Sequence, residues 1–195
     1  RKIVAKNYSG AARVLGGAGT GKTVVAMHRA KYLAARLAGN ERILFTTFTA
    51  NLAADIRENL RKICTVEELR KIEVINLDAW VNNFYKESDF SAQIEYDRIA
   101  EYWEKALLTA DADMTFDAAF YEEEWNRVAI AQEALSLEKY CKASRNGRGA
   151  RLDRKKRMQV WKVFETYQTL MKENQIRDIN TAMYESSKLL ESAGS

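Results

Sequence analysis

Eight residues near the start of the chain have the types and the spacing of a phosphate-binding loop. They match the pattern G-x-x-x-x-G-K-[ST], in which glycines let backbone amides curl around phosphate groups. The lysine of this pattern bridges the terminal phosphates and the hydroxyl binds Mg²⁺, so Lys22 and Thr23 are the candidate catalytic residues. The predicted nucleotide-binding residues are Gly16, Gly17, Ala18, Gly19, Thr20, Gly21, Lys22 and Thr23. We therefore expect the phosphates of a nucleotide and Mg²⁺ as ligands, with a glycine-rich turn that matches by chance as the alternative.

The loop needs a strand before it and a helix after it, and the flanking residues fit both. Apolar residues at three- and four-residue steps predict helices, and β-branched or aromatic runs predict buried strands. The predicted strands cover residues 11–15, 43–48 and 72–75, and the predicted helices cover 23–37 and 50–63. Alternating strands and helices indicate an α/β fold with a parallel sheet, whose binding sites lie at the carboxyl ends of its strands.

The second half of the chain is predicted to be largely helical. It contains no proline, and Trp80, Trp103, Trp125 and Trp161 are spaced along the pattern as candidate core residues. The one clear break is residues 144–149, which hold two glycines, an asparagine and a serine. We expect a helical subdomain over 84–175.

Hydrolysis of ATP needs a carboxylate on a neighbouring strand and an arginine that stabilises the transferring phosphoryl group. Downstream of Thr23 no apolar run ends in Asp or Asp-Glu, and the nearest candidate, Asp78, follows an interrupted run. We expect this carboxylate beyond Ser195. The start at Arg1 rather than methionine also favours an excised fragment of a larger protein.

The net charge of +4 is divided into blocks of opposite sign. Residues 1–50 carry nine Lys/Arg and one acidic residue, and residues 139–172 carry eleven Lys/Arg and two acidic residues. Between them, residues 86–133 hold thirteen Asp/Glu against four Lys/Arg. The basic blocks favour a polyanionic partner such as nucleic acid, and plain solvated surface is the alternative.

Other features exclude several classes of protein. No apolar run approaches the roughly 18 residues of a membrane span, so we expect a soluble protein without a membrane partner. The two cysteines, Cys64 and Cys141, cannot build a disulfide framework, and a reducing cytoplasm is the default location. The single histidine, His28, is predicted to point away from the loop, and no cluster of Cys and His suggests zinc.

Two segments together resemble the UvrD/Rep-type superfamily 1 DNA helicases. Residues 13–23 read RVLGGAGTGKT, and residues 43–53 read ILFTTFTANLA, which looks like motif Ia of that family. The resemblance implies a P-loop, RecA-like fold and places Thr47, Phe48, Thr49 and Asn51 on the backbone of single-stranded DNA. Hydroxyls and amides suit phosphate, and an aromatic ring can stack on a base. A core position for Phe48 is the alternative.

Motif Ib of the family departs more strongly from this sequence. Residues 75–80 read INLDAW in place of the usual Thr-Phe-His. Asn76 can still donate to phosphate, whereas Asp78 would repel it, so a cap of the following helix is the alternative for Asp78. The resemblance also implies an adenine-reading glutamine upstream of Arg1.

The family carries a helical insertion in its first RecA-like domain, which fits residues 84–175 in position and length. Its basic stretch places Arg145, Arg148 and Arg151 as candidate DNA contacts, with a solvated helix start as the equal alternative. The predicted organisation is an incomplete RecA-like part over 1–83, the insertion over 84–175 and a return over 176–195.

These features together predict the ATP-binding fragment of a DNA helicase that couples ATP hydrolysis to movement along single-stranded or partly duplex DNA. The fragment alone is expected to be inactive. The alternatives are another phosphate-loop ATPase or nucleotide kinase, and a non-enzymatic module whose nucleic-acid binding is gated by NTP.

Overall fold

The computed structural model describes residues 2–8, 10–88 and 90–193. Residues 1, 9, 89, 194 and 195, which fall in the predicted domain ranges, lie outside the described residues. The elements, in chain order, are α1 (Lys2–Ala5), α2 (Lys22–Ala34), β1 (Ile43–Thr47), α3 (Ala50–Ile63), α4 (Val66–Arg70), β2 (Ile72–Asn76), α5 (Leu77–Glu87), β3 (Gln93–Ile94), α6 (Ile99–Leu107), α7 (Ala118–Glu124), a π-helix (Trp125–Ile130), α8 (Leu137–Lys142), α9 (Arg154–Glu173), β4 (Ile176–Arg177) and α10 (Ile179–Ala193). Among the helices of these described segments, none combines the length and the apolar content that crossing a bilayer requires.

The chain divides into two compact units, residues 1–80 and 81–195. The division falls within α5, three residues before the predicted boundary at 83/84. Within the second unit β4 pairs with β3 and α10 contacts the π-helix, so this division groups residues 176–193 with the helical unit. The predicted three-part domain organisation stays a prediction.

The first unit is built around two parallel strands covered by α3. β1 and β2 pair in the register Ile43↔Ile72 through Thr47↔Asn76, as expected for two strands joined by helices. The buried face of α3 presents Ala53, Ile56 and Leu60 at helical spacing to Val74 of β2. Burying each of the larger side chains contributes about 1.5 to 3 kcal/mol, so this contact fixes α3 on the sheet.

The predicted strand over residues 11–15 is wrong. These residues have irregular backbone, and Leu15 is 75% exposed. Within the described part of the chain the two-stranded sheet contains only β1 and β2, so the backbone of 11–15 has no ladder partner that would hold it extended. The helix after the loop also ends earlier than predicted, at Ala34, because the amides of Arg36 and Leu37 both bond to the Leu33 carbonyl in a tightened last turn.

The second unit packs α6, α7, the π-helix, α8 and α9 around an aromatic core. Trp103, Trp125 and Trp161 are all buried, which confirms three of the four predicted core tryptophans, whereas Trp80 in the first unit is half-buried. Trp103 stacks on Tyr167 with ring centroids 3.7 Å apart, and Trp125 and Trp161 meet the Phe164 ring edge to face. The period of apolar residues along α9 therefore places one face of this long helix at the centre of the unit.

Two features of the second unit were not predicted from the sequence. β3 and β4 form a parallel pair of only two residues each, too short for an alternating pattern. The π-helix includes one extra residue per turn, and the Ala134 amide bonds to the Ala129 carbonyl five residues earlier. β3 and the π-helix fall within the range predicted as helical, 84–175, and β4 follows directly after it.

Candidate nucleotide and nucleic-acid site

The loop over residues 16–23 leads directly into α2, whose first residue is Lys22. Gly19 and Gly21 have φ angles of 74° and 80°, in the left-handed region that favours glycine. At Gly16 a Cβ atom would meet Thr20 Oγ1 at 2.5 Å, so a larger residue would displace the Thr20 side chain. Glycine therefore suits this turn for two reasons: the positive φ angles at Gly19 and Gly21, and the close approach of Thr20 at Gly16.

The N-terminus of α2 is free to bind an anion. Gly21 occupies the N-cap position without a side-chain hydrogen bond, and the first turn contains no acidic residue. The first amides of a helix have no partner within the helix and carry a partial positive charge. This arrangement suits phosphate, and an N-cap side chain or a nearby carboxylate would compete with it.

The Lys22 side chain folds back over the loop. Its Nζ donates to the Gly16 carbonyl at 2.9 Å and to the Gly17 carbonyl, while the Thr20 hydroxyl donates to the Gly17 carbonyl at 2.8 Å. All of these groups are exposed, so a nucleotide phosphate can replace the carbonyls as the partner of the ammonium group. Because a phosphate is charged, the exchange gives Lys22 a stronger, charge-assisted hydrogen bond.

The neighbouring Thr23 is the residue that could hold Mg²⁺. It is exposed in the first turn of α2. A hydroxyl, phosphate oxygens and water are oxygen ligands of the kind that Mg²⁺ prefers. In residues 2–8, 10–88 and 90–193 there is no cluster of three or more Cys, His, Asp or Glu that could hold a metal by itself. The residues present therefore fit a magnesium ion that is bound mainly through the nucleotide.

The two parallel strands of the first unit end in amide and hydroxyl groups. β1 ends at Thr47 and β2 at Asn76, and these two residues are register partners. Neither strand ends in a carboxylate, which agrees with the sequence pattern. The arrangement around Lys22 can therefore bind phosphate, whereas it lacks a carboxylate at either strand end to orient water.

The segment after β1 has one strongly exposed aromatic residue. Phe48 is 92% exposed, which contradicts the alternative that it belongs to the core. Thr47 is buried and its hydroxyl donates to the Thr49 carbonyl at 2.9 Å, while the Thr49 hydroxyl caps α3 by accepting from the Leu52 amide. The two threonines thus fix the turn, and Phe48 and the exposed Asn51 project from it.

At the end of β2, Asp78 lies inside the helix that it was expected, as one alternative, to cap. Asn76 is the last residue of β2 and is half-buried. It therefore lies at the same edge of the sheet as Thr47, its register partner. Asp78 is exposed within the first turn of α5 and does not occupy the cap position itself. A carboxylate in a first turn is still favourable, because it faces the positive end of the helix dipole.

The predicted phosphate contacts of Arg145 and Arg148 require correction. Both guanidinium groups point inward and bind the fully buried carboxylate of Glu124: Arg145 with N to O distances of 2.5 and 2.9 Å and Arg148 at 2.9 Å. The side chains of the two arginines are only 7% and 9% exposed. An arginine that pairs with a buried carboxylate would have to leave it to bind a phosphate in solvent, and the carboxylate would then be buried without a counter-charge.

The charge of Glu124 is maintained by these contacts. Burial raises the pKa of a carboxyl group, but hydrogen bonds from Arg145 and Arg148 outweigh burial and hold the pKa of Glu124 below its usual range. The Tyr140 hydroxyl also donates to Glu124 at 2.9 Å, and burial together with this carboxylate raises the pKa of Tyr140. The sequence shows the acidic run and the basic run but gives no indication that they pair.

The remaining basic residues of this stretch face solvent, with one exception. Arg151 is exposed and has no ion-pair partner among the described residues, so its predicted contact with nucleic acid stays a prediction. Asp153 caps α9, and Arg154, Lys155 and Lys156 are exposed in its first turn. Arg157 instead donates to the carbonyls of Tyr140, Cys141 and Ala143 at the end of α8, a role that the sequence did not suggest.

His28, which was predicted only to point away from the loop, is exposed on α2, five residues beyond Thr23. Comparison with known proteins identifies the family to which the chain belongs. None of the proteins with curated descriptions matches this sequence. The UvrD/REP helicase N-terminal domain family matches residues 1–195, the whole of the chain, as the two segments around the loop and β1 indicate. The chain therefore belongs to the UvrD/REP helicase N-terminal domain family.

Proposed function

We propose that this chain is the ATP-binding part of a superfamily 1 DNA helicase that couples ATP hydrolysis to translocation on single-stranded DNA. In this proposal the first unit is part of a RecA-like domain and the helical unit is its insertion. The observation that carries the proposal is the loop over residues 16–23 at the uncapped N-terminus of α2. The family membership supports the reaction class.

The nucleotide is held by the loop over residues 16–23, including its last two residues, Lys22 and Thr23. Backbone amides of the loop and of the first turn of α2 surround the phosphates, and Lys22 exchanges the Gly16 and Gly17 carbonyls for the terminal phosphates. Thr23 would hold Mg²⁺ through its hydroxyl, and the ion would neutralise charge on the phosphates. Lys22 and Thr23 thereby position the terminal phosphoryl group for hydrolysis.

The DNA strand is proposed to run along the edge where β1 and β2 end. Phe48 offers a face for base stacking, and Asn51 at the start of α3 and Asn76 at the end of β2 offer amide donors for phosphate. Thr47 and Thr49 hold the turn that presents them. Arg151 in the helical unit is proposed as a further phosphate contact. The proposed substrate is single-stranded or partly duplex DNA.

The test uses the complete helicase that contains this chain. ATP hydrolysis and strand displacement are measured with and without single-stranded DNA, for the unaltered protein, Lys22→Ala and the control Lys62→Ala, whose exposed side chain pairs with Glu58 on α3. We expect DNA-stimulated hydrolysis that only Lys22→Ala abolishes. Transfer of phosphate to a small acceptor would indicate a kinase, and nucleotide-dependent DNA binding without hydrolysis would indicate a gated binding module. Either outcome contradicts the proposal.

A further inference from the structure

The second unit carries a groove between α8 and the first turns of α9, and its lining includes none of the residues proposed above for nucleotide or DNA. Its volume of about 570 Å³ lies in the range of sites that hold small ligands or a few side chains. Leu137 and Cys141 lie one turn apart on α8, and Met158 lies on the facing part of α9. Leu137 is 37% and Met158 is 51% exposed, so the groove has an apolar floor that is open to solvent.

The rim of the groove is basic. Arg154 and Arg157, three residues apart on one face of α9, line it together with Lys142 and Glu138 of α8. Lys142 and Glu138 neutralise each other at 2.5 Å. Arg157 is anchored by the carbonyls at the end of α8, and Arg154 has no ion-pair partner among the described residues. Two guanidinium groups therefore remain at the rim without a carboxylate of their own.

The start of α9 is unfavourable for the isolated chain. Its first four residues, 154–157, are all basic, no acidic residue lies in the first turn, and the N-cap carboxylate of Asp153 can balance only one of these four charges. Cations at this end of a helix oppose the helix dipole and repel one another. Such a local conflict is expected where a bound anionic group offsets it. The rim thus favours a negatively charged partner on electrostatic grounds that are independent of the apolar floor.

We propose that this groove binds an acidic peptide segment of a partner protein, with an aliphatic side chain on Leu137 and Met158 and flanking carboxylates at Arg154 and Arg157. Of the described residues that line the groove, none is aromatic, so it offers no ring on which a nucleobase could stack. A leucine fits the aliphatic and thioether floor, and a carboxylate fits the planar guanidinium. Together the floor and the rim favour peptide over nucleic acid.

The experiment measures binding of a fluorescent synthetic peptide in which aspartates flank leucines. Three comparisons are made with the 195-residue chain: a peptide of equal charge with serine in place of leucine, an oligothymidylate, and protein variants. Met158→Ser and Arg154→Ala alter the groove, and Lys155→Ala in the same helical turn is the matched control that does not line it. All three positions are exposed, so the fold is expected to persist.

The leucine peptide should bind at least tenfold more tightly than the serine peptide, because a leucine side chain leaves water on binding. Met158→Ser should weaken only the leucine peptide, and Arg154→Ala should weaken it by about fivefold while Lys155→Ala changes little. In a Cys64→Ser background the peptide should also slow alkylation of Cys141, which lines the groove.

Equal binding of the two peptides would overturn the proposal, since the surface would then act by charge alone. Binding of the oligothymidylate that protects Cys141, without binding of the leucine peptide, would assign the groove to nucleic acid instead. Tight peptide binding that leaves alkylation of Cys141 unchanged would place the peptide elsewhere and equally contradict the proposal.

Discussion

Thr47 and Asn76 are register partners at the carboxyl ends of the two parallel strands of the first unit. Because of this pairing, the turn after β1 and the start of α5 leave the sheet at the same edge. Thr47 is buried and bonded to the backbone of Thr49, so the next side chain, Phe48, is held outward. This geometry gives an exposed aromatic residue a fixed position on the edge where the DNA strand is proposed to lie.

The first prediction follows from the exposure of Phe48. Phe48→Ala should weaken binding of single-stranded DNA by about 1 to 3 kcal/mol, the usual contribution of one base stacked on an aromatic ring. Stability in urea should change little, since the ring is 92% exposed. Fluorescence anisotropy with an oligothymidylate measures the affinity. Val66→Ala, which removes another exposed apolar side chain of the first unit, is the control and should leave the affinity unchanged.

The second prediction concerns Lys22. The chain should bind ATP or ADP weakly in the presence of Mg²⁺, and Lys22→Ala should remove charge-assisted contacts of about 1.5 to 3 kcal/mol each. Isothermal titration calorimetry compares this variant with Lys62→Ala, which alters an exposed ion pair on α3. Equal affinity of Lys22→Ala and the unaltered chain would show that the loop does not bind phosphate as proposed.

The third prediction separates Arg151 from the two inward-facing arginines. Arg151→Ala should weaken single-strand binding across all sequences and lower the slope of log affinity against log salt by about 0.7, the value for one phosphate contact. Lys105→Ala, an exposed cation in the acidic block, is the matched control. An unchanged slope for Arg151→Ala would leave Arg151 as solvated surface.

Local patterns predicted the first unit well because most of its elements carry their own signals. The helix over 50–63 and the strands at 43 and 72 were found from spacing and residue type, since α3 buries one face and both strands are rich in β-branched residues. The strand at 11–15 was predicted wrongly, because strand formation depends on a partner that local sequence does not show. Phosphate-loop residues are recognisable because glycine, lysine and threonine occur there in fixed order.

The pairing of Glu124 with Arg145 and Arg148 could not be read from sequence. More than twenty positions separate the partners, and composition alone suggests a polyanionic partner or solvent for the basic run and solvent for the acidic run. Only the packing of α7 and the π-helix against α9 decides that this one carboxylate of the acidic run faces inward. Long-range pairing of buried charges is a property of the tertiary fold, whereas periodicity reports only the local element.

The fourth prediction tests this buried cluster. Glu124→Gln should lower the free energy of unfolding by about 3 kcal/mol at neutral pH, because it leaves two buried guanidinium groups short of a counter-charge. Glu123→Gln, at the more exposed carboxylate beside Arg148, should lower the free energy of unfolding much less, because solvent screens an exposed ion pair. Urea unfolding followed by tryptophan fluorescence measures both.

The pH dependence of Glu124→Gln follows from the lowered pKa of Glu124. A carboxyl whose folded pKa lies below its unfolded value of about 4.3 stabilises the protein fully above that value and loses this contribution as the pH falls through the folded pKa. The difference between the unaltered chain and Glu124→Gln should therefore be largest near neutral pH and shrink below about pH 4. A difference that stays constant with pH would mean that the charge of Glu124 does not stabilise the fold.

The last prediction is that the 195-residue chain by itself hydrolyses ATP no faster than background, with or without DNA. Lys22 and Thr23 can hold phosphates and Mg²⁺, but β1 and β2 end in Thr47 and Asn76 and supply no strand-end carboxylate. No arginine of this chain is assigned to the transferring phosphoryl group, and such an arginine contributes a factor of about 10³ to 10⁵ in rate. Release of phosphate is measured with and without oligothymidylate. Robust DNA-stimulated hydrolysis that Lys22→Ala abolishes would contradict the prediction, and Asp78 in the first turn of α5 would then be the first carboxylate to replace.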